Sequence, residues 1–371
     1  MNLEFSEDQK FVQKTARDFL ERRSGLDVCR RVLESPGVPY DAELWKGVAE
    51  MGWLGAVVPE ALGGAGLGYL ELVLIAEEMG RALAPVPFGP SVYLATEALQ
   101  LLGSEDQKRR FLPRLAAGDL VGTFALAEGT GDLLALDLAT RFENGRLSGE
   151  KLPVLDGGAA GLAVVAARGA AGRPALALAL LDVEGVVRTP LHSFDPSRPQ
   201  AKIAFDGAPA EALGPADAGP AIRTLLDRAA VLTGFEQLGG ATRALEETRA
   251  YALGRYAFGR PIASFQVIKH RMADLYAAIE LARSNGYYAA WALSSGSDEL
   301  ELAACSFRAA ASDAFELATR EMVQIHGGVG FTWEYDCHLF YRRAKLLSAW
   351  LGTPSAWREL LVQRLEAREA A

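Results

Sequence analysis

Two short stretches of this 371-residue chain gather the residue types that grip phosphates and flat rings. The first, Arg255 to His270, sets Arg255, Arg260 and Gln266 around Phe258, Gly259 and Pro261. Guanidinium groups form bidentate forks on oxyanions and stack on planar π-systems. The corner could therefore hold phosphates or a flat ring; the same residues would also serve as an ordinary capped turn between helices. The second stretch is Gln324-Ile-His-Gly-Gly-Val-Gly-Phe331, whose three glycines let bare backbone approach a ligand closely.

Helices have to carry both stretches. Arg243, Ala244, Leu245, Tyr251, Ala252 and Leu253 have helical spacing, which breaks at Gly259 and Pro261 and resumes through Phe265, Ile268, Met272 and Leu275. The corner thus sits in a long helical hairpin. The glycine stretch follows the Ala- and Leu-rich run from Leu302 to Val323, which should pack in a bundle. Residues 1 to about 118 also read as helices. Ser6 with Glu7, Asp8 and Gln9 opens one, and Phe11, Val12, Ala16, Phe19 and Leu20 give it an apolar stripe. The loop Val58 to Gly68 interrupts the helical texture, Leu70 to Leu83 restores it, and Ala84-Pro-Val-Pro-Phe88 ends it. From Val121 to about Leu213 the period changes. Thr123 to Ala127, Leu162 to Ala167, Leu176 to Leu181 and Ala201 to Phe205 are strand candidates, with Asn144-Gly145 as a hairpin turn. After Ala221 helices return.

Composition narrows the function classes. The net charge is -9 without a long basic block, so neither nucleic acid nor a basic membrane contact is expected, and an anionic substrate must meet a local cation. Cys29, Cys305 and Cys337 are far apart and make neither a metal-spaced pair nor a disulfide framework, as in a reducing cytoplasm. Met1 to Asp8 lacks a signal-peptide pattern, and no stretch reads as a membrane span. His326 and His338 join no Cys or carboxylate cluster, so no metal is expected.

Together the two stretches, with Phe111-Leu-Pro-Arg-Leu-Ala-Ala-Gly118 upstream, resemble the acyl-CoA dehydrogenase superfamily over essentially the whole chain. The resemblance implies an α+β multidomain fold: an N-terminal α-helical domain at 1–118, a middle β-domain at 119–220 and a C-terminal helical bundle at 221–371. It implies FAD as cofactor. Arg255, Phe258, Gly259 and Gln266 fall on the family's dinucleotide corner. Gln324, Gly327 and Gly328 fall on the segment that reaches the FAD of a neighbouring subunit. The implied chemistry is α,β-dehydrogenation of an acyl-CoA, in which a carboxylate takes the α-proton while a hydride passes to the flavin. Implied partners are acyl-CoA, a second copy or a related subunit, and electron-transfer flavoprotein or another acceptor.

Several positions depart from the family pattern. One usual base is a Glu immediately before a Gly-Thr pair; here Gly352-Thr353 follows Leu351. The other lies early in the first long helix after the β-domain, where this chain has Ala229 and Ala230. Asp227 and Glu236 are the nearby carboxylates. Glu236 reads either as a base desolvated by Leu232 and Phe235, or as a staple paired with Arg243 or Arg271. The family's flavin-contacting Thr-Glu is Ala127-Glu128, leaving the backbone of Leu126 and Ala127 for the flavin. The Trp-Ile-Thr cover reads Pro153-Val154-Leu155, and the CoA-associated turn has shrunk to Gly131-Asp132. Arg342, Arg343 and Lys345 read as a basic patch that could meet phosphate or solvent. This pattern resembles a divergent bacterial branch acting on bulky acyl-CoAs, including steroid side-chain thioesters. Some of its members are heterotetramers in which one chain has lost part of its site. Four readings follow: a dehydrogenase with Glu236 as base, a FAD-holding partner subunit, a scaffold without flavin, and a flavin-dependent oxygenase.

Overall fold

In the computed structural model residues 5–370 are described, apart from the side chain of Ala171, so the first four residues of the chain-start reading lie outside the described residues. The helices begin where capping chemistry says they should. The Ser6 hydroxyl accepts from Gln9 N at 3.2 Å and the Gln9 side chain returns to Ser6 N at 2.9 Å, opening α1 (Glu7–Arg23). Next come α2 (Leu26–Leu33), α3 (Ala42–Glu50) and α4 (Tyr69–Arg81). A wholly buried π-helical turn, Gly89–Thr96, runs into α5 (Glu97–Leu102). The helix α6 (Glu105–Ala116) repeats the capping box with Ser104 and Gln107.

The change of period near Val121 marks a sheet of β1 (Gly122–Ala125), β2 (Arg141–Glu143), β3 (Arg146–Leu155), β4 (Leu162–Arg168), β5 (Pro174–Leu180), β6 (Val186–Leu191), β7 (Gln200–Pro209) and β8 (Glu211–Leu213). Their order is β6-β7-β3-β2-β4-β5-β8, with β1 parallel to β4. Asn144 (φ +51°) and Gly145 (φ +73°) form the two-residue turn between β2 and β3, with Glu143 opposite Arg146. In β4 and β5 nearly every side chain is buried on both faces, which makes their apolar runs legible as strands. The strands β2, β3, β6 and β8 carry charges or proline and lack that signature.

The remaining helices are α7 (Gly219–Gly254), α8 (Gln266–Ser295), α9 (Leu300–His326), α10 (Cys337–Ala349) and α11 (Pro354–Ala370). Between α7 and α8 lies a two-stranded ribbon, β9 (Tyr256–Ala257) with β10 (Arg260–Pro261). The helix α9 packs against α8, α10 and α11 and presents buried Phe307 and Phe315 to the bundle centre. Both rings fit because α7 offers glycine: a Cβ on Gly234 would lie 2.5 Å from Phe307, and one on Gly240 2.5 Å from Phe315. Two compact units result. One takes in the described residues up to Arg30, Val73–Ala84 and everything from Ala230 on; the other takes in Arg31–Leu72 and Pro85–Ala229, including the whole eight-stranded sheet. No helix among the described residues is long and apolar enough to cross a membrane.

Candidate cofactor site

In the helical unit, the corner between α7 and α8 is closed by backbone hydrogen bonds, with Ser264 Oγ donating to Pro261 O at 2.7 Å. Arg255 N donates to Tyr251 O, and Ile262 N donates to Arg255 O, both at 2.8 Å, closing the β9–β10 ribbon. Phe258 at the ribbon tip has φ +52° and is 97% exposed. Arg255 and Gln266 are exposed, and the guanidinium of Arg255 has no partner among the described residues. Arg260 stacks over Phe265 at 4.1 Å.

The glycine stretch lies at the same end of the unit. Tyr251 donates to His326 O at 3.2 Å, and its ring stacks on the His326 imidazole at 4.0 Å. Burial lowers the His326 pKa, and Nδ1 lies 2.7 Å from Met322 O, so a neutral imidazole donates there. Gly327 has φ +65°, which favours glycine. A Cβ on Gly327 or Gly328 would meet nothing within 4 Å, whereas one on Gly330 would strike Val323 O at 2.7 Å. Gly330 thus serves internal packing, while Gly327 and Gly328 leave open space above bare backbone. Gln324 and Phe331 are exposed beside it, Phe331 by 89%. A guanidinium and two side-chain amides without partners among the described residues, accessible backbone and two unburied rings are the donor set that a pyrophosphate joined to flat heterocycles requires. The residues fit a dinucleotide.

The carboxylate question resolves around a buried charge cluster in the same unit. Glu236 is 3% exposed, and its Oε1 lies 3.9 Å from Nη1 of the equally buried Arg343. Arg343 also donates to the Leu83 and Ala84 carbonyls. The expected staples to Arg243 or Arg271 are corrected: Arg243 pairs with Glu247 at 2.5 Å and Arg271 with Glu321 at 2.9 Å. The basic patch is corrected too, since Arg343 is buried, Lys345 pairs with Glu316, and Arg342 stacks over Trp333. Arg308, fully buried, donates to Gln237, to Ser312 at 2.6 Å, and to the Leu347 and Trp350 carbonyls. Burial pulls its pKa down to about 9, against the attraction of Glu236. Its fork fixes the backbone just before Leu351, which has φ +62° and is 3% exposed, and Trp357 Nε1 holds Leu351 O at 3.0 Å. Thr353 is exposed, and its hydroxyl accepts from Ala356 N at 3.3 Å at the start of α11.

In the sheet unit, Leu126 and Ala127 continue β1 as a buried segment. Leu152 N donates to Ala127 O at 2.8 Å, and Gly129 N donates to Leu152 O at 2.7 Å. Beneath them Lys151, 0% exposed, donates to Leu126 O at 3.1 Å and to Glu128 at 2.6 Å. Glu128 also accepts from the amides of Ala139 and Thr140 at 2.6 and 2.9 Å. Val154 and Leu155 are buried in the sheet. Sequence reasoning passed over Lys151, although Leu147, Gly149 and Lys151 alternate onto one face of β3 and so marked an inward lysine. Also unforeseen is the triad in which Tyr69 and Arg228 donate to Glu97 at 2.7 and 2.6 Å. Cys29, Cys305 and Cys337 are separate buried thiols. Among the described residues no three or more His, Cys, Asp or Glu cluster as a metal site.

Known proteins agree with this geometry. Residues 6–119 match the acyl-CoA dehydrogenase N-terminal domain and residues 219–366 the acyl-CoA dehydrogenase C-terminal domain. The chain is 34% identical to acyl-CoA dehydrogenase IpdE2 of Mycolicibacterium smegmatis, over 98% of this chain and 99% of that one. Among solved structures it resembles the Tcur3481-Tcur3483 steroid ACAD, with TM-score 0.90 and 32% identity over 98% and 99% of the two chains. It also resembles the ChsE4-ChsE5 complex from Mycobacterium tuberculosis, with TM-score 0.89 and 27% identity over 99% of each. The chain belongs to the acyl-CoA dehydrogenase superfamily, a flavoenzyme fold engaged in acyl-CoA redox chemistry whose cofactor is FAD.

Proposed function

We propose that this chain is a FAD-holding subunit of a heteromeric acyl-CoA dehydrogenase and depends on a related chain for the catalytic carboxylate. The observation that carries this reading is the state of the acids. Leu351, Ala229 and Ala230 occupy the usual base positions, and Glu236 is buried against Arg343 with the charge of Arg308 beside it. Buried in that cluster, Glu236 serves as a counter-charge inside the helical unit. Two similar solved structures carry two-chain names, which supports the same reading.

In this reading Arg255 and Gln266 receive the pyrophosphate and adenosine side of FAD, with Phe258 as a stacking ring. Gln324, Gly327 and Gly328 complete the same pocket. The sequence reading drew these two stretches from different chains; Tyr251 and His326 favour their acting together on one chain. In the sheet unit Leu126 and Ala127 are proposed as backbone contacts to flavin, and in the helical unit Thr353 is proposed as a separate cofactor contact. Bound FAD supplies the hydride acceptor. The substrate is an acyl-CoA, the electron acceptor an electron-transfer flavoprotein or similar carrier, and the compartment the cytoplasm. The division into 1–118, 119–220 and 221–371 belongs to this proposal, and limited proteolysis would test it.

A second reading, autonomous dehydrogenation with Glu236 as base, draws on its place on one helix with the buried apolar Leu232 and Phe235. Anaerobic mixing of the FAD-loaded chain with short, branched and bulky acyl-CoAs separates the two. The partner reading expects no flavin bleaching by the chain alone and bleaching once a related subunit is added. Bleaching by the chain alone would overturn it.

A further inference from the structure

The conspicuous group that no chemistry above uses is the ammonium of Lys151. It is wholly buried in β3, and its two partners are both functional ground: the Leu126 carbonyl at 3.1 Å and the Glu128 carboxylate at 2.6 Å. Glu128 reaches onward to the amides of Ala139 and Thr140. The lysine therefore ties three things with one charge: the end of β1, Glu128, and the far end of the loop 129–140. Leu126, Glu128 and the tip of that loop, with Asp132 and Leu136, line a cavity of about 120 Å³. We propose that Lys151 is a positioning residue for the flavin-facing edge of the sheet, fixing Leu126 and the cavity loop through one buried ammonium; this rests on the reading that Leu126 and Ala127 meet the flavin.

Burial opposes the ammonium and Glu128 supports it; burial prevails, so its pKa falls to about 8. Burial pushes Glu128 up, but the bonds from Lys151, Ala139 and Thr140 outweigh this and hold it below the usual carboxylate range. Other charges on packed elements are directed elsewhere. On β7 Ile203 stands opposite Lys151, and Lys202 pairs with Glu150 at 3.1 Å. On β2 Arg141 and Glu143 lie beside Ser148 and Arg146, at the other end of β3. The strand β1 contributes Gly122 to Ala125, all uncharged. Raising the pH through about 8 should therefore remove the charge that holds Glu128 and loosen the loop 129–140, while the neutral amine keeps N–H groups to donate.

The test uses the full chain with and without FAD. Without flavin, amide hydrogen exchange in 128–140, corrected for intrinsic rates, should speed up severalfold between pH 7 and 9.5, and Lys151→Met should show fast exchange at both. With FAD, the flavin absorbance of the native chain should titrate near pH 8, and in Lys151→Met this titration should vanish and FAD affinity should drop about tenfold. Unchanged exchange in 128–140 across that pH range overturns the proposal, even if Lys151→Met fails to fold. Exchange that responds while no FAD is held would instead overturn the flavin assignment beneath it. An exchange response with a flavin spectrum and affinity identical in Lys151→Met would refute the link to the flavin-facing edge.

Discussion

At the scale of single residues, the free guanidinium of Arg255 and the committed carboxylate of Glu236 mark opposite roles. Arg255 is exposed and its guanidinium has no partner among the described residues, so its charge is available to an incoming phosphate. Arg255→Ala should weaken FAD binding by about 1.5–3 kcal/mol in a titration of the folded apoprotein, the worth of charge-assisted bonds. Glu236 is the reverse case. Removing its charge leaves Arg343 buried without that counter-charge, and breaking a buried pair costs about 3–5 kcal/mol. Glu236→Gln should therefore lower the urea midpoint substantially. A base in a pocket predicts another result, lost flavin reduction with stability kept. The corner was legible in the sequence because its residues are contiguous. The partner of Glu236 was not, because Arg343 lies on another helix far along the chain, and the sequence offered Arg243 and Arg271 instead.

Among elements, the crossing of α4 and α7 and the inward face of β3 carry their own consequences. A Cβ on Gly239 would lie 1.8 Å from Glu77 O, and one on Gly80 1.8 Å from Glu236 O. Backbone cannot yield that distance locally, so Gly239→Ala must separate the helices and should cost about 3 kcal/mol or more, read as a lowered melting temperature. In β3 the folded lysine has a pKa near 8 and the open chain its ordinary 10.5. Between those values the unfolded state binds more protons, so the contribution of Lys151 to stability rises with pH across about 8 to 10.5. Urea midpoints of the native chain should climb relative to those of Lys151→Met over that window. Strands were readable where both faces are buried, as in β4 and β5, and where Asn144-Gly145 dictates a turn. They were unreadable in β6, an edge strand with Pro190, because solvent on one side removes the apolar signature.

For the whole molecule, the assembly argument starts from what this chain leaves uncovered. Phe258 and Phe331 are 97% and 89% exposed at the end where Gly327 and Gly328 bare their backbone. Isolated exposed rings are ordinary, but these two stand on stretches that Tyr251 and His326 tie together, which suits cover by a cofactor and a second chain. Bound FAD would cover part of these stretches and expose its remaining face to a second chain, so cofactor and partner should bind in a linked fashion. Each should tighten the other by the same factor. Sedimentation equilibrium with and without FAD should show the flavin-loaded chain at least dimeric, and dilution below the dissociation constant of the assembly should release FAD. Addition of a related subunit carrying the missing carboxylate should raise FAD retention and, under anaerobic acyl-CoA, switch on bleaching. A monomer that keeps its FAD at high dilution would contradict the linkage, because the open face would then be complete without a partner.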